Sequence, residues 1–399
     1  MPATPDRDQE PMVVRLASPR DVLDAIPHSL GFVPTDSIVI VLMRESDQRG
    51  QNQRRRTVLT MRIDLVGDRL PAASLMDWPS IAAAVRSTRA TSSLMAVFVD
   101  TEPAGLSDVW SLAVDRGIER DLESRDLPSM RAHLGVGCTL DEQGELMRNA
   151  GEVLAESGAA LSDALVVIGG RYFSLMCEDE SCCPALGTPY DPTGPGVAGV
   201  RLAVEGSSSP FRGRATLEDR FATDPALRAQ IEACAGEPEQ ATNHVTEPDV
   251  VAAGVAGVLA AAAHHCHDQR IDPRRALQVL RSLRSVHIRD AVLARAVERA
   301  NDSSTEASES AASEPASSEA ALRDYVSLLT RAAPDDLRAA PATMAAVLWW
   351  VAGDGASANI ALEQALIVDP QYRLALLMAQ VVRSAVPPEQ VRTLLIEAA

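Results

Sequence analysis

Residues 37–43 (SIVIVLM) form an unbroken apolar run rich in β-branched side chains. That is the pattern of a strand buried on both faces, so it constrains the fold more than any other stretch. Around it the front half of the chain alternates strand-like and helix-like segments. Residues 54–65 (RRRTVLTMRIDL) alternate polar and apolar, as a half-exposed strand does, and the charged stretch 45–53 between the two runs reads as an exposed hairpin loop. Helices are expected near 79–89, 106–119 and 141–156, with strands at 94–99, 164–168 and 171–176. Gly169-Gly170 is a two-residue hairpin signal between the last two strands. Ser18-Pro19 reads as an N-cap with proline in the first turn, opening a short helix that ends before Pro27. The fold class expected is α/β, a mixed sheet with helices, over residues 15–215 after a disordered N-terminus at 1–14.

Beyond about residue 216 no strand pattern remains. Helices are expected at 217–221, 225–235, 250–267, 273–285 and 288–300, and Asp224-Pro225 and Asp272-Pro273 are cap-plus-proline starts. The Ala-rich stretch 250–263 reads as a buried helix rather than a membrane span. Residues 301–320 are mostly Ser, Ala and Glu with almost nothing to bury, and read as an acidic low-complexity linker between a helical region at 216–300 and a second at 321–399. In that second region, Gly353-Asp354, Ala358, Ala365-Leu366 and Asp369-Pro370 fall in the register of a tetratricopeptide repeat, for about one and a half repeats. A generic antiparallel helix pair with a glycine turn fits the same residues.

Composition removes several chemistries. The chain of 399 residues carries a net charge of −18, which opposes nucleic-acid binding through counterion release. All 37 basic residues are arginine. A P-loop lysine and a Schiff-base amine are therefore absent, and arginine can clamp an anion but cannot serve as a general base. Aromatics are only 3% of the chain, leaving few platforms for stacking bases or sugars. The polar N-terminus lacks the apolar core of a signal peptide, so a cytoplasmic location with reduced cysteines and no membrane association is expected.

Four segments carry residues that chemistry would use. Cys177, Cys182 and Cys183 follow the second strand of the glycine hairpin among acidic residues. They would supply three zinc ligands, with a fourth such as His28, although their spacing lies off the usual pattern; thiols packed as small apolar groups are the other reading. His264, His265, Cys266, His267 and Asp268 share helical faces, but histidines also suit the C-terminus of a helix, where they meet its dipole. Gly194-Pro195-Gly196-Val197-Ala198-Gly199 spells a dinucleotide fingerprint without the preceding strand, and Pro195 removes an amide, so it reads as a loop leading into a helix. In residues 26–37 (IPHSLGFVPTDS), His28, Asp36 and Ser37 stand beside a strand start and form a candidate ligand-binding site. An architectural turn accounts for the same segment.

Residues 15–41 (RLASPRDVLDAIPHSLGFVPTDSIVIV), the CEDESCCPALGTPYDP segment and the tail with GDGASANIALEQAL and DPQYRLA together resemble the bacterial domain-of-unknown-function family 4192. The resemblance places His28, Gly31, Phe32, Pro34, Ser37, Cys177, Cys182, Cys183 and Pro184 on motif positions, and implies an actinobacterial type of source. It implies no activity, because the family has none assigned.

Two functional readings follow. The first is a non-enzymatic interaction or scaffold protein that offers its C-terminal helices to a protein partner. The second is an enzyme or small-ligand-binding α/β domain whose site joins His28, Asp36 and Ser37 to the Cys177–Cys183 loop, with structural zinc as an option. Nothing else in the sequence calls for a cofactor.

Overall fold

The computed structural model describes residues 18–45, 55–64, 77–99, 149–174, 176–177, 184, 187–194, 196–204, 210–211, 213–234, 248–268, 271–305 and 318–397. The chain divides into two compact units, Met1–Arg214 and Ala215–Ala399.

The first unit is built on one mixed sheet in the order β2-β1-β3-β4-β5-β6. The strands are β1 (Ser37–Glu45), β2 (Arg55–Asp64), β3 (Ser92–Val99), β4 (Ala160–Ile168), β5 (Arg171–Ser174) and β6 (Thr188–Pro189). β1 lies antiparallel to both β2 and β3, β3 and β4 run parallel, and β5 pairs antiparallel with β4 and β6. β1 is therefore interior, and Ile38 to Leu42 are buried, as the unbroken apolar run requires. Gly169 and Gly170 both take positive φ, at 56° and 69°, which a two-residue hairpin demands and other residues resist. The helices here are α1 (Pro19–Leu30), α2 (Trp78–Thr88), α3 (149–156) and α4 (Val197–Val204).

Helix α1 does not stop before Pro27, as its sequence suggests, but runs on to Leu30. Both ends hold it. Ser18 and Asp21 form a reciprocal capping box, and Gly31 closes the helix at φ 78°. Between those caps Leu23, Ile26, Pro27 and Leu30 are buried, and that burial outweighs the single backbone donor that proline lacks.

The second unit is helical throughout its described residues. It comprises α5 (Arg214–Glu218), α6 (Pro225–Ala233), α7 (Pro248–Asp268), α8 (Pro273–Ser282), α9 (Val286–Thr305), α10 (Ser318–Ala332), α11 (Asp335–Val351), α12 (Gly355–Val368), α13 (Arg373–Arg383) and α14 (Pro388–Glu397). Asp224 and Asp272 cap α6 and α8 by accepting two backbone amides each, as their Asp-Pro starts imply. α11 is buried almost all round, from Leu337 to Val351. Its alanines let neighbouring helices approach closely. Glu319, itself buried, accepts from Arg392 at 3.0 and 3.4 Å and so fixes α14 against α10.

The structure differs from the sequence reading at two places here. The acidic stretch is bounded by helices that extend into it, α9 to Thr305 and α10 from Ser318, and α10 packs on both α7 and α9. The helices before and after it belong to one unit. α7 is not a buried helix: Val255, Val258, Ala261 and Ala262 are buried, whereas Ala253, Ala256, Gly257, Ala260 and Ala263 are exposed. Alanine and glycine tolerate either side of a packing boundary, so the Ala-rich pattern does not say which face is covered. By length and composition alone, Pro248–His267 is apolar enough to cross a membrane.

Candidate functional site

The strand register lines up Ser37, Phe98, Val167, Tyr172 and Thr188 in one row across the sheet. The turn after α1 feeds into this row through Ser37, and the segment from β6 to α4 leaves it through Thr188. α1 and the 189–199 segment then lie against each other. Arg20 Nη1 donates to the Pro189 carbonyl at 3.5 Å, the Asp24 carboxylate meets the Gly196 backbone, and His28 Nε2 faces Gly199. These three side chains are spaced four apart, so one stripe of α1 faces Pro189, Gly196 and Gly199. Gly196 is indispensable to the approach, because a β-carbon there would overlap the Asp24 carboxylate. A β-carbon at Gly199 would sit 3.2 Å from His28 Nε2. The fingerprint-like glycines thus make room for side chains of α1, and the segment does open a helix.

Asp24 is only 7% exposed and, among the described residues, its Oδ2 has no hydrogen-bond partner. Burial raises its pKa above the usual carboxylate range, an effect that Arg20 and His28 oppose and Asp21 reinforces. Tyr190 is buried beside it, edge-on to Tyr172 at 6.2 Å. Burial, then the neighbouring Asp24, push the Tyr190 phenol well above its ordinary value. Asp191 is the contrast: exposed, and held below the usual range by its hydrogen bonds from Thr193. The arrangement can keep a proton on a carboxyl at higher pH than a surface aspartate would, next to a phenol that stays neutral.

Of the residues singled out from sequence, His28 belongs to this cluster. Asp36 stands at positive φ, 39°, in the turn, and Ser37 is fully buried, its hydroxyl without a partner among the described residues. The turn itself is firmly docked. Phe32 and Val33 are buried, Val33 donates to the Phe211 carbonyl at 2.9 Å, and Phe211 donates back to Gly31 at 2.8 Å. Arg62 covers Phe32 at 5.3 Å and donates to the Thr35 carbonyl at 3.3 Å. Cys177 lies elsewhere. Its amide donates to Ser174 Oγ at 2.9 Å, and that hydroxyl donates to Asp163 at 2.7 Å. Ser37 is level with Val167, four residues along β4 from Asp163, or about 13 Å at 3.3 Å per residue. Cys182 and Cys183 lie outside the described residues, so the full three-thiol ligand set does too.

Cys177, Cys234 and Cys266 are free thiols. No group of three or more metal-ligating side chains occurs among the described residues. His264 to His267 occupy the end of α7, with the His265 ring 5.7 Å from Tyr325.

Sequence reasoning passed over Asp24 and Tyr190. Asp24 lies on the polar stripe of α1 with Arg20 and His28, so its position in the helix pattern does not mark it as buried. Tyr190 carried no signal either, since its burial depends on where β6 sets the following loop.

On the helical unit, several large apolar side chains stay in water. Ile367 near the end of α12 is 71% exposed, Leu376 and Leu377 on α13 are 41% and 49% exposed, and Leu394 on α14 is 57% exposed.

A mixed six-stranded α/β unit and a separate all-helical unit thus define a two-part protein. The chain matches the family described as Domain of unknown function (DUF4192) over residues 19–389, and it belongs to that family. No curated protein and no solved structure matches it.

Proposed function

We propose that this protein is a non-enzymatic, cytoplasmic interaction protein that engages a protein partner through its C-terminal helices. One observation carries the reading: Ile367, Leu376, Leu377 and Leu394 are exposed on the last three helices, at positions where solvated helices ordinarily carry polar residues. The helices that bear them are well anchored. Trp350 Nε1 donates to the Val386 carbonyl at 3.0 Å, and Arg392 holds α14 to Glu319. Helices already held in place need less ordering when a partner binds, which lowers the cost of binding. The tetratricopeptide-like register of 345–370 fits the same reading.

The test is co-purification of the full chain from its native cells, beside a variant carrying Leu376→Ser and Leu377→Ser. A stoichiometric partner lost from the variant is expected. A partner retained by the variant, or none with the unaltered chain, defeats the proposal.

A further inference from the structure

The exposed leucines of α13 do not stand alone. At 100° per residue, Arg373, Leu376, Leu377, Gln380, Arg383 and Ser384 fall within about a third of the helix circumference. All six are exposed, while Ala375 and Met378 on the opposite side are buried. The stripe therefore reads arginine, two leucines, glutamine, arginine. Its two cations stand ten residues apart, or about 15 Å at 1.5 Å per residue. Four other arginines of this unit are matched with carboxylates: Arg228 with Asp335 and Glu232, Arg392 with Glu319, Arg331 with Asp224 and Arg220 with Asp354. No carboxylate among the described residues pairs with Arg373 or Arg383. In a chain of net charge −18, two exposed unmatched cations bracketing two exposed leucines make a local inversion of the surface.

Resting on the interaction reading above, we infer that α13 receives an amphipathic helix whose apolar anchors are flanked at both ends by acidic residues. The leucines supply the buried centre, and the arginines select the partner and set its register by charge complementarity. A partner helix with two apolar residues four apart, and a carboxylate about one turn beyond each, matches the 15 Å span. An anionic bilayer would also meet arginines and leucines, but it would bring a sheet of negative charge against the whole of a −18 protein. A single short helix meets only the stripe, because at physiological salt its charges are screened beyond about 8 Å.

The experiment uses the full chain and labelled, alanine-based helical peptides followed by fluorescence anisotropy. One peptide has two leucines four apart and glutamates at both ends, a second has lysines in place of the glutamates, and a third has serines in place of the leucines. Saturable binding of the glutamate peptide alone is expected. Arg373→Glu with Arg383→Glu should weaken it by about tenfold, the scale of two exposed ion pairs, and should favour the lysine peptide instead. Both changes are at exposed positions, and a matching circular dichroism spectrum confirms that the variant folds.

Equal binding of the glutamate and lysine peptides overturns the charge assignment. If that equal binding is still lost with Leu376→Ser and Leu377→Ser, the wider interaction reading stands while this one falls. Absence of binding by every peptide overturns the inference. So does tighter binding to phosphatidylserine vesicles than to the glutamate peptide.

Discussion

The α-carbon of Gly196 rests against the carboxylate of Asp24, with no space between them for a methyl group. One residue is glycine, with no side chain, and the other an ionisable side chain only 7% exposed. Together they set how closely α4 can approach α1, and their contact makes strong predictions about stability.

Gly196→Ala should destabilise the first unit by about 1–3 kcal/mol, because the new β-carbon forces α4 away from α1. Combined with Asp24→Ala, which removes the obstructing carboxylate, much of that cost should disappear. Urea denaturation of the two single variants and the double variant measures the coupling. Strictly additive costs would mean that the two residues do not meet.

Asp24 also predicts a pH dependence of definite sign. Its folded pKa is raised above the ordinary 3.8, so the folded state holds the proton more tightly than the unfolded chain. The stabilisation from this group is then complete below its unfolded pKa and is lost as pH rises through the folded value. Asp24→Asn cannot ionise. The difference in melting temperature between the variant and the parent should grow in the variant's favour as pH rises from about 4 to about 7. A difference that shrinks over that range would contradict the burial of the carboxyl.

Arg338, only 6% exposed, donates to Thr223 Oγ1 at 2.5 Å, to the Phe221 carbonyl at 2.8 Å and to Gln364 Oε1 at 2.8 Å. It ties the turn between α5 and α6 to α12. Arg338→Met should cost about 3 kcal/mol in the second unit, because it leaves a buried carbonyl and an amide oxygen unpaired. Arg338→Lys should recover little of this, since one ammonium cannot reproduce the planar fork that reaches three acceptors. Thermal denaturation followed by circular dichroism gives the answer.

Asp354 caps α12, accepting from the Ser357 amide at 2.9 Å and its hydroxyl at 2.7 Å, and stands 3.7 Å from Arg220. Asp354→Ala should lower stability by about 1 kcal/mol, the usual loss for an N-cap. Asp354→Asn should lie within about 0.5 kcal/mol of the parent. Asparagine caps equally well, and the partly exposed pair with Arg220 adds little. A costly Asp354→Asn would show that the ion pair matters more than the cap.

Local chemistry makes much of this protein legible in its sequence. The run 37–43 determined an interior strand, Gly169-Gly170 a tight hairpin, and Asp224-Pro225 and Asp272-Pro273 two helix starts, because each depends on residues that are neighbours in sequence. The division into an α/β unit and a helical unit followed from the same local patterns, and the structure places its boundary at Arg214. Pro27 misled because its local penalty is real but smaller than the burial that α1 gains across its whole stripe. The exposed face of α7 was hidden for a related reason, as alanine looks alike on either side of a packing boundary.

What only the tertiary structure decided is which distant residues meet. Asp24 finds Gly196 and Tyr190 across more than 160 positions of chain, through a strand register that no local pattern encodes. The same register carries Cys177 away from Ser37. Leu376 and Leu377 look in sequence like part of a core; the packing of α13 on α11 and α12 through Ala375 and Met378 leaves them in water. Hydrophobic periodicity says that a helix has an apolar side, and only the positions of its neighbours settle which apolar residues they cover.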